Sequence, residues 1–332
     1  MKSRNFKIGL AIFVLAAGAG LFVALHNQPK EPEEAYIGER NVLLRSRLAQ
    51  VRETLATLHF GERVVIVDRK NDQVQVRTDA GLLGWVEQRH LMDATLWRHA
   101  AELRVRAHTM PSQAQAHTRV PTNVRLEPGR STIRIFQFPS ALRLEILERK
   151  LADVKPSDDA RASESSGAGD LKREDWVLVR GTTEDTGEVA GWVLRRFIDY
   201  DPPQAIADYA SGFHFVAWFE LNRVSDGEKL RPQYLTAGTQ GGDGHPCDFT
   251  LLRVYTWGLQ RRRYETAFLE SNLCGHFPIH VEPATAPGGD AKFSFVAESK
   301  QGSGQRVYAM HQTSVHRIDL EKRRRVPARR RK

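Results

Sequence analysis

Four short phrases occur twice in this chain, in the same order. The first copy reads NVLLR, GERVVIVDR, DQVQVRT and GWV between Asn41 and Val86, and the second reads NVRLEPGR, ALRLEILERK, DWVLVRG and GWV between Asn123 and Val193. Each phrase is a short alternating or β-branched run bounded by Gly, Asp or Asn, which is typical of strands joined by tight turns. The repeat predicts two small β-barrels, over residues 36–93 and 118–200.

The order of the phrases resembles the bacterial SH3-like (SH3b) domain, which has an Asn-Val-Arg start, a Gly-led strand, an Asp-Trp-x-x-Val strand and a Gly-Trp-Val strand. The second copy matches this pattern at Asn123, Val124, Arg125, Asp175, Trp176, Val179, Gly191, Trp192 and Val193. The first copy departs from it, with Leu43 and Leu44 before Arg45 and Gln73 where the pattern has Trp. The resemblance implies modules that bind cell-wall peptide or a partner protein in a groove between their loops.

Trp85 and Trp192 each follow Gly in the closing phrase of a copy. An aromatic side chain at this place in a strand is in the first instance a core or barrel-edge residue, and only secondarily a platform for a ligand. The candidate ligand contacts are Trp85, Arg89, Trp192 and Arg195.

The segments around the second copy have different characters. ATLWRHAAELRVRAH, from Ala94, has apolar residues at helical spacing and predicts a short connecting helix within residues 94–117. Residues 151–172 interrupt the second copy with a run rich in Ser, Ala, Gly and Asp, which predicts a disordered insertion.

Residues 205–319 lie beyond the resemblance to any family. FHFVAWFELNRV, LRPQYLTAG, DFTLLRVYTW, RRRYETAFLES, AKFSFVAES and QRVYAMHQTSVHRI read as successive strands, with SDGE, WGLQ and KQGSG as turns. We expect one antiparallel β domain, either a sandwich or a propeller-like sheet. The chain as a whole is predicted to be mainly β.

Both cysteines of the chain, Cys247 and Cys274, fall in this domain. In an exported protein, two cysteines in one small domain favour a disulfide. A zinc site remains an alternative, because HPC and CGH would offer His245, Cys247, Cys274 and His276, although the one-residue spacing is unusual for zinc. No cofactor is expected.

A catalytic alternative uses Cys247 and His276. SH3-like modules often accompany NlpC-type cell-wall cysteine peptidases, which implies a nucleophilic Cys with a downstream His. Here the strand-like DFTLLRVYTW follows Cys247, and the Asp-Cys-Ser-Gly signature of that family is absent. The sequence therefore favours a protein that is not an enzyme, with a cell-wall cysteine peptidase as the alternative.

The amino-terminal segment predicts export. Lys2, Arg4 and Lys7 precede an uncharged apolar run from Ile8 to Leu25, long enough as a helix to approach the ~30 Å hydrocarbon core of a membrane. Residues 1–28 are therefore predicted to be an uncleaved anchor, followed by an acidic linker over residues 29–35. A cleavable signal segment is the alternative, because Ala17-Gly18-Ala19 could serve as a cleavage site, although the apolar run is longer than the ~7 to 15 residues usual for a signal. The distribution of charge places the bulk of the chain outside the cytoplasmic membrane, in the periplasm or beyond the cell.

The net charge of +9 does not indicate a nucleic-acid-binding protein. The tail KRRRVPARRRK alone carries eight positive charges, and removing them leaves a net charge of +1 on the remaining residues. A nearly neutral body lacks the broad basic face that phosphate binding requires. The basic tail, residues 320–332, is expected to meet an anionic surface such as lipid or wall polymer.

The predicted topology is open to a direct test. A reporter that is active only outside the cytoplasm should be active when it is fused after Lys332, and the mature protein should keep Met1 or the residue after it. A mature amino terminus near Gly20 would show cleavage and contradict the anchor.

Overall fold

The computed structural model describes residues 32–48, 53–154, 173–210, 212–300 and 302–318. These residues form a mainly β structure with antiparallel sheets, as the sequence predicts. The α-helices are α1 (Ala94–Thr109) and α2 (Gln204–Ala207), and two short 3-10 helices are η1 (Gln88–His90) and η2 (Arg195–Phe197).

Two sheets correspond to the two copies of the repeat. The first contains β1 (Glu34–Ile37), β2 (Asn41–Arg45), β3 (Thr54–His59), β4 (Arg63–Lys70), β5 (Gln73–Thr78), β6 (Leu83–Glu87) and β7 (Leu91–Asp93). The second contains β8 (Ala114–Thr118), β9 (Thr122–Arg125), β10 (Arg134–Phe138), β11 (Arg143–Asp153), β12 (Arg173–Thr183), β13 (Gly187–Leu194) and β14 (Ile198–Tyr200).

The strand order is the same in both copies. The first sheet runs β3-β2-β6-β5-β4-β1-β7 and the second runs β10-β9-β13-β12-β11-β8-β14. Each strand of one copy therefore has a counterpart with the same neighbours in the other, and in each copy a 3-10 turn connects the Gly-Trp-Val strand to the last strand. The repeated phrases encode a repeated strand arrangement.

The expectation of closed barrels is wrong. Closure requires the two edge strands of a sheet to pair with each other. In the second sheet, among the residues described, β10 pairs with β9 and β14 with β8, and no pairing joins β10 to β14. The edge strands are short, and β9 meets β13 at the single aligned pair of Arg125 and Trp192.

The glycine of Gly-Trp-Val is required by a close approach of strands. A Cβ atom at Gly191 would lie 2.4 Å from Val124 Cγ1 and 2.9 Å from the carbonyl oxygen of Arg125. At Gly84, the same substitution would place a Cβ 2.6 Å from Leu44 Cγ and 2.9 Å from the carbonyl oxygen of Arg45. The start phrase and the closing phrase recur together because they touch at this point in each copy.

Residues 214–317 form two further antiparallel sheets of four strands each. The third sheet, in the order of the chain, contains β15 (His214–Asp226), β16 (Lys229–Thr239), β17 (Leu251–Gly258) and β18 (Arg263–Glu270). The fourth contains β19 (Gly275–Glu282), β20 (Ala291–Ser299), β21 (Gly302–His311) and β22 (Ser314–Arg317).

The third and fourth sheets share one hydrophobic core. Leu235 and Val254 from the third sheet join Phe293 and Phe295 from the fourth in the same buried cluster. The sequence missed β19, since Pro278 lies inside it and proline is disfavoured within strands. The strand tolerates this residue because β19 is an edge strand of its sheet.

The predicted connecting helix is confirmed as α1. Asp93 caps it, accepting a hydrogen bond from the Leu96 backbone N–H at 2.8 Å, and Ala100, Leu103 and Ala107 form its buried side. The helix packs on β12 and β13 of the second sheet.

The chain divides into two compact units. The first includes residues 43–57 and 63–89, and the second includes residues 36–42, 58–62 and 90 onward. No helix within the described residues is long and apolar enough to cross a membrane. The predicted anchor over residues 8–25, most of the predicted insertion and the basic tail lie outside the described residues.

Gly191→Ala tests the close approach of the strands. The added methyl group would press on Val124 and on backbone, so we expect a loss of ~1 to 3 kcal/mol in the free energy of unfolding. Gly304→Ala is the matched control, because nothing lies within 4 Å of the methyl group that it would add. Urea denaturation measures both, and equal midpoints for the two variants would contradict the argument.

Trp192→Ala should remove one of the two largest side chains from the buried cluster between α1 and the second sheet. The Trp192 side chain is only 2% exposed and packs with Trp176 and Leu178. Truncating a buried aromatic costs ~3 to 5 kcal/mol, so we expect the second sheet to unfold at much lower denaturant. A variant of unchanged stability that had lost ligand binding would instead make Trp192 a contact residue.

Candidate functional site

The predicted disulfide is confirmed: Cys247 and Cys274 are bonded to each other, with their Cα atoms 4.9 Å apart. The bond connects the loop before β17 to the residue that precedes β19. Neither sulfur is then a thiolate, so the bond removes two of the four ligands that the zinc alternative needs. His245 is engaged locally, with its Nδ1 atom 3.1 Å from the Cys247 backbone nitrogen.

Arg149 on β11 lies beside this disulfide in a buried ion-pair cluster. Its guanidinium binds Asp175 through Nε at 3.0 Å and Nη2 at 2.7 Å, and Asp248 through Nη1 at 3.0 Å. It also donates to the backbone carbonyl of His245 at 2.7 Å. Only 7% of the Arg149 side chain is exposed. One arginine of the second sheet thereby fixes the loop that carries Cys247.

The two aspartates are held from more than one side. Asp175 also accepts a hydrogen bond from the Gly244 backbone N–H at 2.9 Å, and Asp248 accepts one from the Phe277 backbone N–H at 2.8 Å. Burial raises the pKa of Asp248, against the hydrogen bonds from Phe277 and Arg149, which lower it. Removal of Arg149 would therefore leave two poorly solvated carboxyl groups without their main partner.

His276 stands between the disulfide and two carboxylates. Its Nε2 atom lies 3.9 Å from Cys274 Sγ and 3.1 Å from a carboxylate oxygen of Glu298, and its Nδ1 atom lies 3.7 Å from Asp248. Cys274, His276 and Glu298 could together hold a metal ion if Cys274 were a thiolate. The cysteine beside His276 is thus Cys274, whereas the sequence had paired His276 with Cys247 as the catalytic alternative.

The four predicted ligand contacts are divided between the two compact units. Trp85 and Arg89 belong to the first compact unit, and Trp192 and Arg195 to the second. Trp192 is buried, with Lys150 Nζ 5.0 Å from its ring centroid, and Arg89 is exposed and paired with Glu87 at 2.7 Å. Of the four, Arg195 lines a sizeable groove.

That groove has a volume of about 540 Å³ and lies between the end of the second sheet and the start of the third. We call it the arginine groove. Its polar lining comes from η2, from β14 and from the turn after β8, and its apolar lining comes from residues near α2 and the start of β15. Its lining includes Arg119, Arg195, Arg196, Asp199, Tyr200, Ala207, Ala210, Phe213, His214 and Phe215.

Few features of the sequence indicated this groove. Arg195 and Arg196 follow each other in η2, directly after the Gly-Trp-Val strand, and their partners in the groove come from residues 207–215. The arginine pair itself was visible in the phrase GWVLRRF. The apolar lining comes from residues that follow the repeat, and only the folded structure brings these residues close to η2.

The comparisons with known proteins found solved structures only. No protein-family model and no curated protein matches the chain. The structure of NlpC1 from Trichomonas vaginalis matches at 13% identity and a TM-score of 0.18, over 53% of this chain and 48% of that one. The structure of NlpC2 from the same organism matches at 11% identity and a TM-score of 0.17, over 87% of this chain and 97% of that one.

The expectation that the protein is not an enzyme is not supported by these matches. Both solved structures bear the name of the NlpC proteins, the class considered above for the catalytic alternative. This chain spans about half the length of NlpC1. With TM-scores this low, neither match assigns a role to any residue of this chain.

Arg149→Met should strongly destabilise the second compact unit. The change leaves Asp175 and Asp248 buried without their cation, and breaking a buried pair in this way costs ~3 to 5 kcal/mol. Arg143→Met, an exposed position on the same strand, should change stability by less than about 0.5 kcal/mol. Chemical denaturation measures both, and similar midpoints would contradict a structural role for the Arg149 cluster.

Proposed function

We propose that this protein binds cell-wall peptide outside the cytoplasm, through the arginine groove. The observation that carries the proposal is the groove itself, which joins three guanidinium groups to an apolar wall with Phe213 and Phe215. Peptides present both carboxylates and small apolar side chains, and a groove of this composition can contact both.

Two further observations support the proposed peptide binding and the proposed location outside the cytoplasm. The duplicated strand order is consistent with two SH3-like modules, and the resemblance in the sequence implies peptide binding for such modules. The Cys247–Cys274 disulfide is of a kind that persists in oxidising compartments, which agrees with export.

The binding test uses purified soluble wall peptide and the intact protein. Isothermal titration should show saturable binding, and Ala207→Trp, which fills the apolar wall, should abolish it. Leu259→Trp is the matched control, since Leu259 is exposed in a turn outside the groove, and it should bind normally. If the wild-type protein bound an acidic protein segment but not wall peptide, the ligand of the groove would be a partner protein and not the cell wall.

A second candidate function is thiol-dependent cleavage of the same peptide, and the position of His276 favours it. In the disulfide, no thiol is available. A dithiol reductant would supply two electrons and two protons and open the bond. Cys274 Sγ lies 3.9 Å from Nε2 of His276, the nitrogen that Glu298 also contacts at 3.1 Å, and the other ring nitrogen lies 3.7 Å from Asp248. His276 would take the proton of Cys274, and the thiolate would attack a peptide carbonyl. The C–N bond would break to leave a thioester on Cys274, His276 would give its proton to the departing amine, and water would hydrolyse the thioester to release the acid and regenerate the thiol.

The two cysteines should then behave asymmetrically. Product release from wall peptide should require a reductant, disappear in Cys274→Ala and persist in Cys247→Ala, because Cys247 is not the thiol beside His276. His276→Gln should also abolish it. If reduced protein releases no product, the thiol candidate is wrong, while binding in the arginine groove would be unaffected.

A further inference from the structure

The three guanidinium groups of the arginine groove differ in how closely they are paired with carboxylates of the protein. Arg119 is bound to Asp199 through two nitrogens, one of them Nε at 3.1 Å. This hydrogen bonding lowers the pKa of Asp199, as expected for a carboxylate held by a guanidinium. Arg119 is thus an internally satisfied part of the wall.

Arg196 is in a different position. The carboxylate nearest to it among the described residues is Glu174, at 3.5 Å, and Arg130 already binds both oxygens of that carboxylate. Two arginines therefore share one negative charge. The Arg196 side chain is 49% exposed, so its remaining N–H groups are open to solvent in the groove.

Arg195 is also incompletely paired. Among the described residues, Arg195 forms an ion pair with Asp243, in which Nη1 lies 3.4 Å from Oδ1. This is a long contact, and the Asp243 carboxylate is half-exposed. The guanidinium lies 5.7 Å from the centroid of the Tyr200 ring, and this contact restricts its orientation. An arginine restricted in this way is well prepared to bind a planar anion.

From these contacts we infer that Arg195 and Arg196 form a subsite for a carboxylate of the bound peptide. This inference rests on the proposed function and deepens it, because it names the group that the groove recognises. A carboxylate can accept two parallel N–H bonds from one guanidinium, and a second guanidinium adds further charge. Phe213 and Phe215, which line the same groove, would then contact the side chains next to that carboxylate.

The test compares matched peptides on matched variants. The wall tetrapeptide L-Ala-D-Glu-L-Lys-D-Ala is used as the free acid and with all its carboxyl groups amidated, and an acetylated Ser-Glu-Ser-Glu peptide serves as an unrelated acid. The variants are the double variant Arg195→Gln with Arg196→Gln, and Arg263→Gln as a control, since Arg263 is exposed and lies outside the groove. Isothermal titration gives Kd for each combination, and circular dichroism verifies the fold.

The free acid should bind the wild type and the Arg263→Gln control equally, and the double variant about tenfold or more weakly. The amidated peptide should bind the wild type as weakly as the acid binds the double variant. Raising the salt concentration should weaken binding of the acid to the wild type more than binding to the double variant.

The remaining outcomes separate the inference from the proposed function. Wall peptide that binds the wild type and the double variant equally well would support the function and overturn the carboxylate subsite. Binding of the unrelated acid that depends on the two arginines, with no binding of wall peptide, would support the subsite and overturn the function. If none of the peptides binds the folded wild type, both are wrong.

Discussion

The buried guanidinium of Arg149 determines how the two halves of the second compact unit meet. It joins Asp175, which lies in the Asp-Trp strand of the repeat, to Asp248 and the backbone of the disulfide loop. Burying three charges is costly, and such a cluster adds little net stability compared with apolar residues of the same size. The cluster instead restricts the geometry of the junction, because each buried charge needs the others as partners and only one arrangement of the elements pairs them all.

A second buried polar contact acts in the same direction. Gln113, fully buried ahead of β8, accepts a hydrogen bond from the Ile279 backbone N–H at 2.8 Å, and its backbone carbonyl accepts one from Trp218 at 3.1 Å. With Arg149 this gives two separate polar links between the second sheet and the two sheets that follow it. The arginine groove lies along the same junction, so its walls come from elements that are already fixed to each other.

The same junction shows why binding and cysteine chemistry have to be tested separately. The disulfide and the His276 cluster lie on the β19 side, where Asp248 connects Arg149 to His276. The groove opens near η2 and β15. Gly241 and His245 line two spaces next to the disulfide, one of them about 520 Å³ in volume, and Gly241 also lines the groove. Reduction of the disulfide would therefore remove one of the restraints on the loop that forms one end of the groove, while the contacts of Arg149 remain.

The sequence alone determined the repeat, the mainly β composition, the connecting helix and the cysteine pair, because these depend on local patterns or on there being two cysteines. It also indicated that Trp192 is primarily a structural residue and only secondarily a candidate ligand contact. The expected barrel closure failed because local patterns define strands but not whether distant edges pair. The alternating run that begins at Gly275 was hidden by Pro278, whose cost depends on being at a sheet edge.

Only the tertiary structure decided which groups meet. The sequence placed His276 with Cys247, whereas folding places it beside Cys274 and between Asp248 and Glu298. It named Arg195 without the apolar wall opposite, which comes from residues after the repeat. Local sequence sets the direction of each strand and the alternation of its side chains. The partners across a groove are set by long-range packing and by buried charges such as Arg149, which have no signature in the neighbouring residues.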